Sequence, residues 1–218
     1  NKNKRMLEIK DPIYHHEDRP MLTADFSFAV NGGEAVCLAD ADGTAAALLL
    51  RVLMGLEPLE SGFVNIDGDL LTPLSAPYFR RQMAYVPQLL EPFYETVGDL
   101  VETLLDLEAN RLADAGSKQV VHELKLLGLD AQLLTRRMDE TSFATVQLVM
   151  LAVALVLRKP YVLIDRLTGV DAAQLASLLS RMKRNGQAVV VVSDEPMVAS
   201  VCDYLIRMEA TAPSPINL

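Results

Sequence analysis

Three short runs of almost unbroken hydrophobic residues, Ala35 to Ala39, Tyr161 to Ile164 and Ala188 to Val192, most constrain what this chain can fold into. A strand with one wet face alternates apolar and polar residues. Continuous runs suit strands buried on both faces, as in a parallel sheet covered by helices. The last two are rich in β-branched side chains, which favour a pleated backbone. A helical pattern follows each run: Ala45 to Met54, Ala172 to Met182, and Met197 to Cys202. Strand–helix alternation of this kind implies an α/β core.

The flanking regions have a different character. Leu7 to Ile9, Ala24 to Val30 and Phe63 to Ile66 read as strands of a β-rich N-terminal part, with turn signals at Asn31-Gly32-Gly33 and Asp67-Gly68. The segment of about 91–138 carries two amphipathic helical patterns. The first is Val97, Leu100, Val101, Leu104 and Leu105; the second is Val120, Val121, Leu124 and Leu127. Thr96 with Asp99 three residues on predicts a helix start, and Gly128 a stop. The expected organisation is one domain: an α/β core of about 1–90 and 139–210, with a helical subdomain inserted between its halves.

The chain has 218 residues, 50% hydrophobic and 22% charged, which suits a globular protein of one domain with an insertion. Its formal net charge of -9 argues against nucleic acid as a partner, because phosphate backbones need a basic footprint. The basic cluster Lys2 to Arg5 is expected to be a solvated tail. The apolar run Val146 to Leu157 is interrupted by Gln147 and is too short to cross a bilayer, so it predicts a buried helix. No secretory signal is visible, and a cytoplasmic protein with Cys37 and Cys202 as reduced, buried thiols is expected. His122, on a helical pattern without ligand-like partners, is expected to face solvent.

Five stretches, taken in order, carry a resemblance. Asp40-Ala41-Asp42-Gly43-Thr44-Ala45-Ala46-Ala47-Leu48-Leu49-Leu50-Arg51 lies between a buried strand and a helix, and Gly55-Leu56 with Ser61-Gly62 follows. Then come Tyr85-Val86-Pro87-Gln88, Thr141-Ser142-Phe143-Ala144-Thr145, Leu163-Ile164-Asp165-Arg166-Leu167-Thr168 with Asp171, and Val192-Ser193-Asp194-Glu195. Their order and spacing resemble the phosphate loop, Q-loop, signature, Walker B and D-loop, and switch of ABC transporter ATP-binding subunits, over about Leu7 to Met208. The resemblance implies a P-loop NTPase (RecA-like) core with an N-terminal antiparallel β subdomain and an inserted helical subdomain. In the family the cofactors are ATP and Mg²⁺. The partners are a second ABC subunit and membrane-spanning subunits, at the cytoplasmic face of the membrane.

The departures from the family pattern bear on chemistry. A working phosphate loop wraps backbone N–H groups around phosphate, with a Lys as point charge and a Ser or Thr hydroxyl on Mg²⁺. Here Ala46 stands at the Lys position, Ala47 at the hydroxyl position, and Asp40 and Ala45 at glycine positions. Gly43 survives in the loop, with Thr44 beside it. Losing one partner of a buried charge pair costs about 3–5 kcal/mol, so these losses are expected to abolish tight ATP binding. Arg166 replaces the Walker B carboxylate that handles the attacking water, and a guanidinium is no base near neutral pH. Asp194 replaces the switch histidine. Phe143 and Ala144 replace the signature glycines, and Ser142 is kept.

Arg166 is expected to place its guanidinium on the carboxylate of Asp165, Asp40 or Asp42, filling the phosphate pocket with an internal ion pair. Tyr14, near His15 and His16, falls roughly where the family stacks an aromatic on adenine, and is expected to be a packed edge aromatic. Glu91 to Tyr94 falls where the family receives a helix of the membrane subunit. The expected function is that of a catalytically inactive subunit, structural or regulatory in a transport complex, with any surviving role at the surfaces around Gln88 and Asp171. No cofactor and no metal site are expected. Two alternatives stand beside it: a divergent ATPase completed by a partner subunit, and a binding module reusing the fold.

Overall fold

The computed structural model describes residues 5–90, 93–108, 110 and 115–208. Two sheets form the frame. The first is antiparallel and is built on the long β1 (Met6–His16), which pairs with β2 (Arg19–Leu22), β3 (Phe28–Asn31) and β5 (Ser61–Ile66); β6 (Asp69–Leu70) continues from β5. The second is parallel. Its strands are β4 (Ala35–Ala39), β7 (Met83–Val86), β8 (Tyr161–Ile164), β9 (Ala188–Val192) and β10 (Tyr204–Arg207), in the order β10-β4-β9-β8-β7. The helices are α1 (Thr44–Leu53), α2 (Ala76–Arg80), α3 (Val97–Asp106), α4 (Ser117–Leu126), α5 (Phe143–Leu157), α6 (Ala172–Arg184) and α7 (Pro196–Val201).

The three apolar runs form β4, β8 and β9 with the limits expected from the sequence. Their alternate side chains enter two separate cores. Val36, Leu38, Tyr161, Leu163, Val190 and Val192 pack on the side of α1 and the antiparallel sheet. Ala35, Cys37, Val162, Ile164, Val189 and Val191 pack on the side of α5 and α6. Burial on both faces is therefore the physical source of the unbroken hydrophobic pattern. A third core, of Val97, Val101, Val120, Leu124 and Leu133 against Val149, Ala152 and Val153, seats α3 and α4 on α5. The two sheets are pinned where the Tyr161 hydroxyl donates to the carboxylate of Asp67, in the turn after β5. Asp67 in turn accepts the Met6 N–H at 2.9 Å.

The stretch Ala24 to Val30 is not one strand. A 3-10 turn occupies Ala24–Phe26, closed by Phe26 N–H to the Thr23 carbonyl at 3.0 Å. Ser27 Oγ donates to the Ala24 carbonyl and accepts the Asp11 N–H at 2.8 Å, so the chain turns before β3 begins. α3 starts at Thr96 with the expected capping box, and Gly128 ends α4 at φ 79°. Cys37 is buried and Cys202 half-buried, both free; Cys37 Sγ donates to the Ser193 carbonyl at 3.3 Å and Cys202 Sγ to the Val198 carbonyl at 3.4 Å. His122 is exposed. Among the described residues, no helix is long and apolar enough to cross a membrane. Lys2 to Lys4 lie outside the described residues.

Candidate functional site

The C-terminal ends of β4, β7, β8 and β9 point the same way, which is where open α/β sheets carry their sites. Residues 40–43 join β4 to α1, and Gly43 holds φ 76° as it enters the helix. A helix N-terminus leaves N–H groups without intrahelical partners, which makes it a natural seat for an anion. Here the chain supplies its own. Asp40 is 4% exposed, and its Oδ2 accepts the Ala46 N–H at 2.9 Å. Asp42 Oδ1 accepts the Thr44 N–H at 2.9 Å, a bond that holds the Asp42 carboxyl below its usual range. Ala46 is buried against the core and Ala45 and Ala47 are half-buried.

Arg166 lies across this loop. Its Nη1 donates to Asp194 Oδ2 at 2.7 Å, and its Nη2 donates to the main-chain carbonyl of Asp40. A Cβ at Gly43 would stand 3.3 Å from Arg166 Nε, so the loop needs glycine there for space as well as for its positive φ. The guanidinium thus does not take a carboxylate of Asp165, Asp40 or Asp42; it takes that of Asp194. Asp194, in the loop after β9, faces the guanidinium, and the three expected carboxylates turn to other donors. Asp40 and Asp42 cap loop amides, while Asp165 accepts the Arg166 N–H at 2.7 Å and the Tyr85 hydroxyl at 3.3 Å. Burial, and then the charge of Asp165, push the Tyr85 hydroxyl up to about 12.

The remaining expected residues sit around the rim. Ser142 caps α5, accepting the Thr145 N–H at 3.2 Å, with Phe143 and Ala144 half-buried beside it. Asp171 caps α6, accepting the Gln174 N–H at 3.0 Å. Gln88 is exposed, and its main-chain carbonyl accepts Gln147 Nε2 at 3.2 Å. Gln147 Oε1 accepts the Thr168 N–H at 3.3 Å. Read in the sequence only as a break in an apolar run, Gln147 is fully buried and joins two loops. A lone amide in the middle of an apolar helix is the signal that could have singled it out.

Two cavities flank these loops. One, of about 370 Å³, lies beside the phosphate loop and is lined by Arg19, Asp40, Asp42, Thr44 and Met208. Tyr14 is not among its walls; it is half-buried against the core next to β2. The other, of about 360 Å³, is an apolar groove between the Q-loop region (Tyr85, Pro87, Leu90) and α3 (Leu100, Leu104), floored by Met150. Leu89 and Phe93, 80% and 84% exposed, stand near it in sequence. Glu91 and Pro92 lie outside the described residues.

Residues 23–169 match the model of the ABC transporter family. The chain is 30% identical to the manganese transport system ATP-binding protein MntB of Listeria innocua over 84% of its own length and 79% of the relative's. It is 29% identical to the zinc transport system ATP-binding protein TroB of Treponema pallidum, over 93% and 76%. Against a probable ABC transporter ATP-binding/permease protein of Haemophilus influenzae it is 23% identical and spans only 38% of that longer chain. Among solved structures, a dimeric bacterial ABC transporter cassette superposes with a TM-score of 0.75 at 23% identity, over 93% and 94% of the two chains. A bacterial Atm1-family ABC exporter with ATP bound gives 0.77 at 19% identity, over 95% of this chain and 37% of the exporter. With its two sheets, its loop–helix junction after β4 and these matches, the chain belongs to the ABC transporter family and has the fold of its ATP-binding cassettes.

Proposed function

We propose that this chain is an ABC ATP-binding-subunit homologue that serves a transport complex as a structural or regulatory partner, without holding or hydrolysing ATP itself. The observation that carries this reading is the pair of carboxylates on the phosphate loop. A triphosphate needs the same amides that Asp40 and Asp42 cap, and it would meet two negative charges there instead of a lysine. The residues present therefore do not fit Mg·ATP: Ala46 and Ala47 offer neither cation nor hydroxyl, and Arg166 is tied to Asp194 beside the loop. A guanidinium in that place cannot take a proton from water.

The surfaces that need only shape support a partner role. The apolar groove beside α3 fits a helix from a membrane-spanning subunit, and the Ser142 and Asp171 rim fits a second ABC subunit. The chain then sits at the cytoplasmic face of the membrane, held by those subunits. In such a pair, this chain gives a capped phosphate loop to one composite site and an altered signature to the other, so both sites depart from the family pattern.

Nucleotide titration of the purified chain, alone and with whatever copurifies, tests the proposal. The expected result is no Mg²⁺-dependent ATP binding in the micromolar range by the chain alone, together with a copurifying ABC or membrane subunit. Micromolar Mg·ATP binding by the lone chain overturns the first half. A stable monomer that copurifies with neither kind of subunit overturns the second.

A further inference from the structure

We propose that Gln147 is a positioning residue that couples the apolar groove to the loop after β8, so that a displacement of one is felt by the other. Gln147 lies in the second turn of α5 and is fully buried, surrounded along the helix by Val146, Leu148, Val149 and Met150. A buried amide in such surroundings is costly unless both its ends are bonded. Its two ends are bonded to two different loops. Nε2 donates to the Gln88 carbonyl at 3.2 Å, and Oε1 accepts the Thr168 N–H at 3.3 Å.

These loops have separate surroundings. Residue 88 follows β7 and continues through Leu89 into Leu90, a wall of the groove. Residue 168 follows Arg166, which reaches the phosphate loop, and precedes Asp171, which caps α6. Gly169, at φ 77°, turns this loop, and a Cβ there would touch Ala144 Cβ at 3.5 Å, at the start of α5. No strand pairing holds residue 88 to residue 168, since the β7–β8 register ends at Val86 and Ile164. Past that point the Gln147 side chain is a direct tether between them. If the 88 loop shifts, the amide must either follow, dragging on Thr168, or leave its own Nε2 unpaired inside an apolar helix. A tether of this kind transmits strain because the Gln147 amide is itself fully buried, so giving up either bond leaves that end of its side chain desolvated and unpaired.

The use of this tether rests on reading the groove and the Asp171 rim as partner surfaces, but its existence does not. A hydrogen-exchange experiment on the chain alone separates the two, since it needs no partner. A charge is placed in the groove wall with Leu90→Arg, and amide exchange is followed at 166–171. In the wild-type background the substitution is expected to speed exchange there by about tenfold. In a Gln147→Met background, which keeps volume but removes both bonds, the added effect of Leu90→Arg is expected to vanish. Gln147→Leu removes both bonds with a different apolar shape and no buried charge. It is expected to abolish the coupling likewise while Leu90→Arg still speeds exchange in the groove wall itself, an outcome that a merely structural loss at residue 147 would not give. If Gln147→Met does not fold, the Leu variant decides alone. The same response to Leu90→Arg in both backgrounds, or no response in the wild type, overturns the proposal.

Discussion

The phosphate loop turns on which donor each carboxylate finds. Asp40 satisfies an amide near the start of α1 from inside the fold, a role that a cap or a bound anion fills elsewhere. Asp40→Ala leaves the Ala46 N–H without its partner in a buried place, and is expected to lower unfolding free energy in urea by about 1–3 kcal/mol. Ala46 and Arg166 stand out in the sequence as departures from the motif that the chain resembles. The bonding does not. Arg166 meets Asp194 because β9 lies between β8 and β4, and linear spacing says nothing about which of four carboxylates faces the guanidinium. Gln147 escaped notice for a related reason: its partners are main-chain atoms 59 and 21 residues away.

Elements buried on two faces wrote themselves into the sequence, and elements at edges did not. β4, β8 and β9 were legible because every side chain meets a core. β10, four residues at the sheet's edge with Tyr204 and Leu205 43% and 42% exposed, shows no comparable pattern. It is placed instead by pairing with β4 and by the Asp203 N–H on the Ala35 carbonyl at 2.8 Å. The Ala24–Phe26 turn was read as strand because its apolar residues alternate, while the Asp11 N–H that holds the Ser27 hydroxyl in place lies 16 residues away. Helix starts were clearer, since caps are local. Asp171→Ala removes the acceptor for the Gln174 N–H, and is expected to cost about 1 kcal/mol with exchange rising in the first turn of α6.

At the scale of the molecule, the antiparallel and parallel sheets meet through a large shared core and a polar pin, the Tyr161 hydroxyl on Asp67. Tyr161→Phe keeps the ring and removes the pin. It is expected to lower unfolding free energy by about 1–2 kcal/mol with an unchanged denaturant m-value, as for a domain that still unfolds as one unit. The capped phosphate loop has its own consequence at this scale. A protein that borrows a diffusible ligand is steadier when that ligand is abundant and frailer when it is scarce. Asp40 and Asp42 are tethered to the amides they serve, so their local concentration is set by the chain and never by the surroundings. On the proposed reading, the steadiness of this fold is therefore set by the chain's own carboxylates and not by the supply of nucleotide.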